Sequence, residues 1–492
     1  MNSTEGRTFL GQPWGLANLF GIELWERFSY YGMLTILGYY LYYSTTKGGL
    51  GMDEGTALSL VGAYGGFVYI TSVAASLVSD RLLGPERTLF FSAILVMAGH
   101  IALALVPGFP GLILGVGLIG LGSGGVKTAS QVVLGDLYSR SDPKRDAGFS
   151  IFYMAVNIGA LIGPLVTGEA WGRGGFHWGF GLAAIGMAVG LTQYVVMRKG
   201  TINPDSRRVP NPLERGRYLT YALGGIILVA LLVSPFVFGL LPLKALSHYV
   251  ALLAFLAAVI LLAQMFRSPH TTAQERSRLV GYLPLLFGCV MFFAIFQSQF
   301  TILALYTDTR VNLDLNLGFF EYRLKPSQVQ SVNPFFIVLL SGVFAAMWTR
   351  LGERQWSSPV KFGVSNLIIG ASLLLFLPYA GGEEGSTPLL MIVILLLLFT
   401  LSELLVSPVG NSLATKVAPE AFKSRMFAVW LMALSMGTSL AGVLGTQYEA
   451  AIDAGPGAER TFFLAASGVT MVLGVALILL RGWVVRRFGD VR

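Results

Sequence analysis

The sequence predicts an all-α membrane protein of about fourteen spans, in which two six-helix bundles flank two extra transmembrane helices. Three observations carry that prediction. Of 492 residues, 54% are hydrophobic and only 12% are charged, where a soluble domain carries about 25%. Apolar segments long enough to cross ~30 Å of hydrocarbon recur along the whole chain. The loops alternate in charge: the N-terminus, the even-to-odd connections and the C-terminus hold about 25 of the 34 Lys and Arg, and the opposite connections about 7. That bias predicts a multi-pass protein with both termini cytoplasmic, and the expected location is the cell inner (plasma) membrane. The 60 glycines fit helices that pack through small residues.

In chain order, residues 1–13 form a short polar N-terminus on the cytoplasmic side. They lack a basic start followed by a short apolar run, so no cleaved signal peptide is expected. Residues 14–198 form the first bundle, with spans near 15–43, 55–79, 88–106, 111–138, 147–168 and 176–197. Residues 199–217 hold Pro204, Pro210 and Pro212 and read as a cytoplasmic linker. The extra pair occupies 218–266, with spans near 218–240 and 246–266, and a second basic linker follows at 267–278. Residues 279–482 form the second bundle, with spans near 279–306, 328–349, 358–378, 388–414, 422–446 and 461–481. A cytoplasmic tail, 483–492, ends the chain. Ser79-Asp80-Arg81-Leu82-Leu83-Gly84-Pro85-Glu86-Arg87 after the second span has a counterpart in Thr349-Arg350-Leu351-Gly352-Glu353-Arg354 after the second span of the later bundle. Two similar halves around a midplane site are the usual plan of secondary transporters.

Several function classes are excluded by what the motifs lack. The net charge of +8 follows from topology, and Arg207, Arg208, Arg215 and Arg217 read as a membrane-anchor loop, so no nucleic-acid partner is expected. Cys289 stands alone, without disulfide or thiolate-metal partners. Gly122-Ser123-Gly124-Gly125-Val126-Lys127 has the wrong spacing for a nucleotide loop. No nucleophile–base or zinc motif is present, so the chain does not read as an enzyme, and neither metal nor cofactor is expected. His100 reads as a packed side chain of an apolar span.

What remains is a set of ionisable groups inside the spans, where each costs roughly 2–3 kcal/mol to insert. Glu23-Leu24-Trp25-Glu26-Arg27-Phe28-Ser29-Tyr30-Tyr31-Gly32 puts two carboxylates and a guanidinium on neighbouring faces of the first helix. Their surplus negative charge calls for a cation or a proton, and Lys127 of the fourth span is paired with Glu26 or Glu23 on that ground. Glu403 lies mid-span in the later half with no intramembrane cation as an obvious partner. Asn157 and Asn333 add amides. Arg27 and Lys127 suit a carboxylate, and Glu403 suits an ammonium, so a zwitterion of peptide size would bridge the two halves. Tyr30, Tyr31, Tyr69, Phe293 and Trp430 would supply amphipathic walls.

The stretch from Glu23 to Gly32 resembles the Glu-x-x-Glu-Arg-Phe-x-Tyr-Tyr-Gly signature of the bacterial proton-coupled oligopeptide transporters, within the major facilitator superfamily. Phe152, Tyr153, Asn157 and Gly159 match the family's Phe-Tyr-x-x-x-Asn-x-Gly, and Ser358-Pro359-Val360-Lys361-Phe362 and Glu403 with Ser407-Pro408-Val409-Gly410 are similar to further family runs. The resemblance implies a major facilitator fold and import of di- and tripeptides by a monomer that draws on the proton gradient. It implies that Arg27 and Lys127 hold the peptide carboxylate, and that Glu403, Asn333 and Asn157 hold the amino end and backbone. Tyr31, Tyr69, Phe293, Gln297 and Trp430 are implied to line the pocket. Glu23 and Glu26, with Arg27 and Lys127, are implied to couple protons. Leu34, Gln297, Phe293 and Thr128 depart from the usual family residues. Leu34 and Gln297 each replace a charge, so a salt bridge from the first half to the second is expected to be absent. The alternative is a carrier of another small anion or zwitterion, such as nitrate, a modified amino acid or a peptide-like drug, with weaker proton coupling.

Overall fold

In hydrocarbon each backbone N–H and C=O must be paired within its own segment, so long apolar runs fold as helices. The computed structural model describes residues 7–139, 142, 144–316, 318 and 321–489, with the side chains of 215, 222, 237 and 353 left out. The first six residues of the expected N-terminal tail, the last three of the C-terminal tail and the side chains of Arg215 and Glu353 therefore lie outside the described residues.

The helices are α1 (Gly15–Tyr42), α2 (Glu54–Val78), α3 (Pro85–Leu105), α4 (Gly108–Gly135), α5 (Arg145–Gly174), α6 (Phe176–Thr201), α7 (Tyr218–Val237) and α8 (Leu246–Arg267). They continue as α9 (Ala273–Phe296), α10 (Ile302–Arg310), α11 (Val332–Leu351), α12 (Ser358–Ser372), α13 (Leu389–Lys416), α14 (Lys423–Asp453), α15 (Pro456–Leu479) and α16 (Arg481–Phe488). Among the described residues, thirteen helical segments are long and apolar enough to cross a membrane. α1 has the length, 28 residues, but Glu23, Glu26 and Arg27 lower its hydropathy. With α1 the spans are those the hydropathy predicts.

Helix ends follow local chemistry. Proline opens α3 after Gly84 and α15 after Gly455. Thr272 and Glu275 form a reciprocal capping box at the start of α9. Pro164 and Pro408 lie inside α5 and α13 without ending them.

The chain divides into two compact units. One holds Met1–Ile36, Tyr43–Leu50 and Ile70–Leu246, and the other holds Leu37–Tyr42, Gly51–Tyr69 and Ser247–Arg492. In the first unit α3 lies along α4 and α6, and α5 along α6. In the second, α12 lies along α15 and α13, and α14 along α9. Within the second unit, Ser59 of α2 donates to the Ser247 hydroxyl of α8 at 2.8 Å, both fully buried. The outer faces of both units are apolar: Leu105, Ile113 and Val196 in one, Leu479 and Val472 in the other, are at least 70% exposed, as a lipid-facing surface requires.

Two features go beyond the sequence expectation. The segment read as one span over 279–306 is broken. α9 ends at Phe296, Gln297–Phe300 forms a 3₁₀ turn, and Thr301 leaves the helical region at φ −120°, ψ −88° before α10 resumes. Hydroxyls bond carbonyls at the break: Ser298 donates to Ile295 O at 2.5 Å and Thr301 to Ala441 O at 3.1 Å.

The second feature concerns the stretch read as a cytoplasmic linker, which docks as a strap on the first unit. Asn211 and Leu213 donate backbone N–H groups to Asp80 O and Arg81 O at 2.9 and 3.0 Å. Ser206 donates to the Asp136 carboxylate at 2.7 Å. Gly84 adopts φ +80° with the carbonyls of Arg207 and Arg208 lying where a side chain would project. Beside it Glu86, fully buried, receives Arg198 at 2.5 Å, Arg207 at 3.3 Å and the Tyr194 hydroxyl at 3.3 Å.

Candidate functional site

α1 delivers Glu23, Glu26 and Arg27 to one buried cluster in the first unit, each at most 5% exposed. Arg27 Nε donates to Glu23 Oε1 at 2.9 Å and lies 3.0 Å from Glu26 Oε2, so it forms ion pairs with both carboxylates. α4 supplies the remaining donors: Ser123 donates to Glu26 Oε1 at 2.7 Å and Ser130 to Glu23 Oε2 at 3.2 Å. Residues seven apart share a helix face, and Lys127 stands on that face between the two serines. Lys127 is within electrostatic reach of Arg27, Glu23 and Glu26, and it is only partly buried. Arg27 Nη2 is buried and makes no hydrogen bond among the described residues. The cluster therefore has an unspent guanidinium N–H beside an ammonium, which is a carboxylate-recognition chemistry.

The second signature has a packing reason. α5 sits directly on α1, and a Cβ at Gly159 would lie 2.5 Å from Leu24 O and 2.8 Å from the Arg27 Cβ. Thr167 ties the same pair of helices by donating to Gly32 O at 3.0 Å. Asn157, 6% exposed, donates its amide to Tyr153 O of its own helix at 3.0 Å. Tyr31 belongs to this unit and is partly exposed.

The second unit holds the other predicted residues: Tyr69, Phe293, Gln297, Asn333, Glu403 and Trp430. Asn333 of α11 donates to Thr400 Oγ1 at 2.9 Å and to Glu403 Oε2 at 3.4 Å. Glu403 of α13 is partly exposed, and no ion pair involves it among the described residues. Trp430 of α14 meets Phe293 of α9 edge-on, with centroids 6.2 Å apart. Gln297 stands at the first position of the helix break, partly exposed. Each unit thus gathers its own subset.

Ser123, Ser130 and Thr400 are functional candidates beyond those predicted. Their signal was helical spacing: 123, 127 and 130 share a face of α4, and Thr400 precedes Glu403 by three. Among the described residues no group of His, Cys, Asp and Glu has a metal-binding arrangement.

A model described as POT family matches residues 86–460. The chain is 39% identical over 481 residues to the uncharacterized transporter YclF of Bacillus subtilis (strain 168), covering 98% of this chain and 96% of that one. It is 38% identical over 501 residues to a di-/tripeptide transporter of Lactococcus lactis subsp. cremoris, covering 100% and 99%. A crystal structure of a peptide transporter POT in complex with alafosfalin superposes with a TM-score of 0.90 at 39% identity, covering 98% and 97%. One of a POT family transporter in complex with 5-aminolevulinic acid does so with a TM-score of 0.90 at 32% identity, covering 97% and 98%. A buried acid–base cluster on α1, a lone carboxylate on α13 and these likenesses over the full length agree: the chain is a multi-pass membrane transporter of major facilitator fold, and it belongs to the POT family.

Proposed function

We propose that the protein is a proton-coupled symporter that imports di- and tripeptides by alternating access. The observation that carries the reading is the division of charge. The first unit offers Arg27 Nη2 and Lys127 to an anion, and the second offers Glu403, held by the Asn333 amide, to a cation. A zwitterion carries the charge that each set calls for, and the relatives named for peptides support that class. Arg27 and Lys127 take the peptide carboxylate, Glu403 and Asn333 the amino end, and Asn157 the backbone. Tyr31, Tyr69, Phe293, Gln297 and Trp430 wall the pocket. Protonation of the Glu23/Glu26 pair releases Arg27 and Lys127 for the substrate and biases which side opens, with no cofactor beyond the proton gradient.

The loop charges support an inner (plasma) membrane location with both termini cytoplasmic, where the protein works as a monomer. The two six-helix bundles, the linkers and the extra pair keep the boundaries given above. Proteoliposomes with an inward acid gradient should accumulate labelled dialanine. Uptake indifferent to the gradient removes the coupling, and uptake indifferent to competing peptides removes the substrate class.

The relative bound to 5-aminolevulinic acid favours one second reading, a carrier of a different small zwitterion. A competition panel of peptides against such compounds separates the two.

A further inference from the structure

We propose that Gly410 is a positioning residue: its missing side chain seats the Trp430 indole and so sets how large a peptide side chain the Glu403 end of the site admits. The proposal rests on the peptide reading above. α13 runs unbroken through Pro408, so Glu403 and Gly410, seven residues apart, lie on one face of the helix. Trp430 is 1% exposed. A Cβ built on Gly410 would run into Cη2, Cζ3 and Cζ2 of that indole, the far edge of its benzene ring.

A second aromatic side chain packs against the ring. Phe293 stands edge-on to it at 6.2 Å. Phe293 is itself fixed, because α9 and α14 touch at Gly437, where a Cβ would lie 2.6 Å from Phe293 Cβ and 2.9 Å from Val290 O. The indole touches both Gly410 and Phe293 in a packed interior, where even one methyl group must be accommodated. Its Nε1 is buried and makes no hydrogen bond among the described residues. One methyl group at position 410 drives the ring off its seat, and the space it takes is lost to the larger peptide side chains first.

The test compares the full chain, Gly410→Ala and Gly410→Ala/Trp430→Phe in proteoliposomes, measuring KM for dialanine and for Phe-Ala. Gly410→Ala should raise KM for Phe-Ala at least about tenfold and that for dialanine less than about threefold. The double variant, whose smaller ring clears the methyl, should restore the ratio. An unchanged ratio, or a changed one that Trp430→Phe does not restore, overturns the proposal. If Gly410→Ala abolishes uptake of both peptides, rescue in the double variant supports it and lack of rescue overturns it. Fluorine NMR of protein carrying 5-fluorotryptophan reads the seating without substrate, with the Trp430 resonance assigned by its loss in Trp430→Phe. That resonance must move in Gly410→Ala, and an unmoved one overturns the seating. A wild-type protein that moves no dialanine speaks against the peptide reading instead, and the NMR arm still decides the seat.

Discussion

Arg27 spends its Nε on two carboxylates and keeps Nη2 unspent, which a lysine cannot imitate. Arg27→Lys should therefore raise KM for dialanine at least about tenfold while the protein remains folded, as checked by uptake kinetics beside a thermal unfolding curve. Glu403 has an amide partner and, among the described residues, no cation. Glu403→Gln should cost zwitterionic substrates about tenfold or more in competition for uptake and leave N-acetylated peptides, which lack the ammonium, within about twofold. The charged members of the site were legible in the sequence because ionisable groups inside apolar spans are expensive and rare. Ser123 and Ser130 were harder to see. Serines are common in transmembrane helices, and only the positions of the Glu23 and Glu26 oxygens give these two a meaning.

At the scale of the element, Gly159 of the second signature decides how closely α5 approaches α1. Gly159→Ala would press a methyl group against the Leu24 carbonyl and the Arg27 Cβ. Overpacking of that kind costs about 1–3 kcal/mol, so the variant should melt several degrees lower and lose uptake together, measured on one preparation. The break after α9 is the element that the sequence concealed. Phe296-Gln297-Ser298-Gln299-Phe300-Thr301 has neither proline nor glycine to mark a break, and Gln297, Ser298 and Gln299 read equally well as polar residues of a continuous span. Hydroxyl-to-carbonyl bonds accompany the turn, and one of those carbonyls belongs to α14, far away in sequence. Gln297 opens that turn with a neutral amide, and Leu34 on α1 is apolar and buried. Installing Gln297→Glu together with Leu34→Arg should change the dependence of dialanine uptake on pH. An unchanged profile would mean that position 297 takes no part in coupling.

For the molecule as a whole, the hydropathy and the loop charges were enough to read the helix count, because the bilayer leaves the backbone few alternatives. Tertiary ties were not legible, since they join residues with no pattern between them. The second unit has one such tie in Arg310, whose Nη1 lies 2.7 Å from both oxygens of Glu459. Glu459 also receives the Tyr448 hydroxyl at 3.0 Å and the Gly381 N–H at 2.7 Å. Removing one member leaves a buried charge unanswered, so Glu459→Gln should destabilise the protein by roughly 3–5 kcal/mol, seen as an earlier thermal transition in detergent.

The docked strap has a practical consequence for anyone who divides the polypeptide into two co-expressed fragments. A cut before Asn203 would leave the leading fragment without Ser206 against Asp136, without Arg207 against Glu86 and without the stitches from Asn211 and Leu213. A cut in the basic stretch after α8 keeps all of these in the fragment that carries α1 to α6. Reassembly of a working carrier should succeed from the later scission and fail from the earlier one, although the earlier site looks the more dispensable on paper.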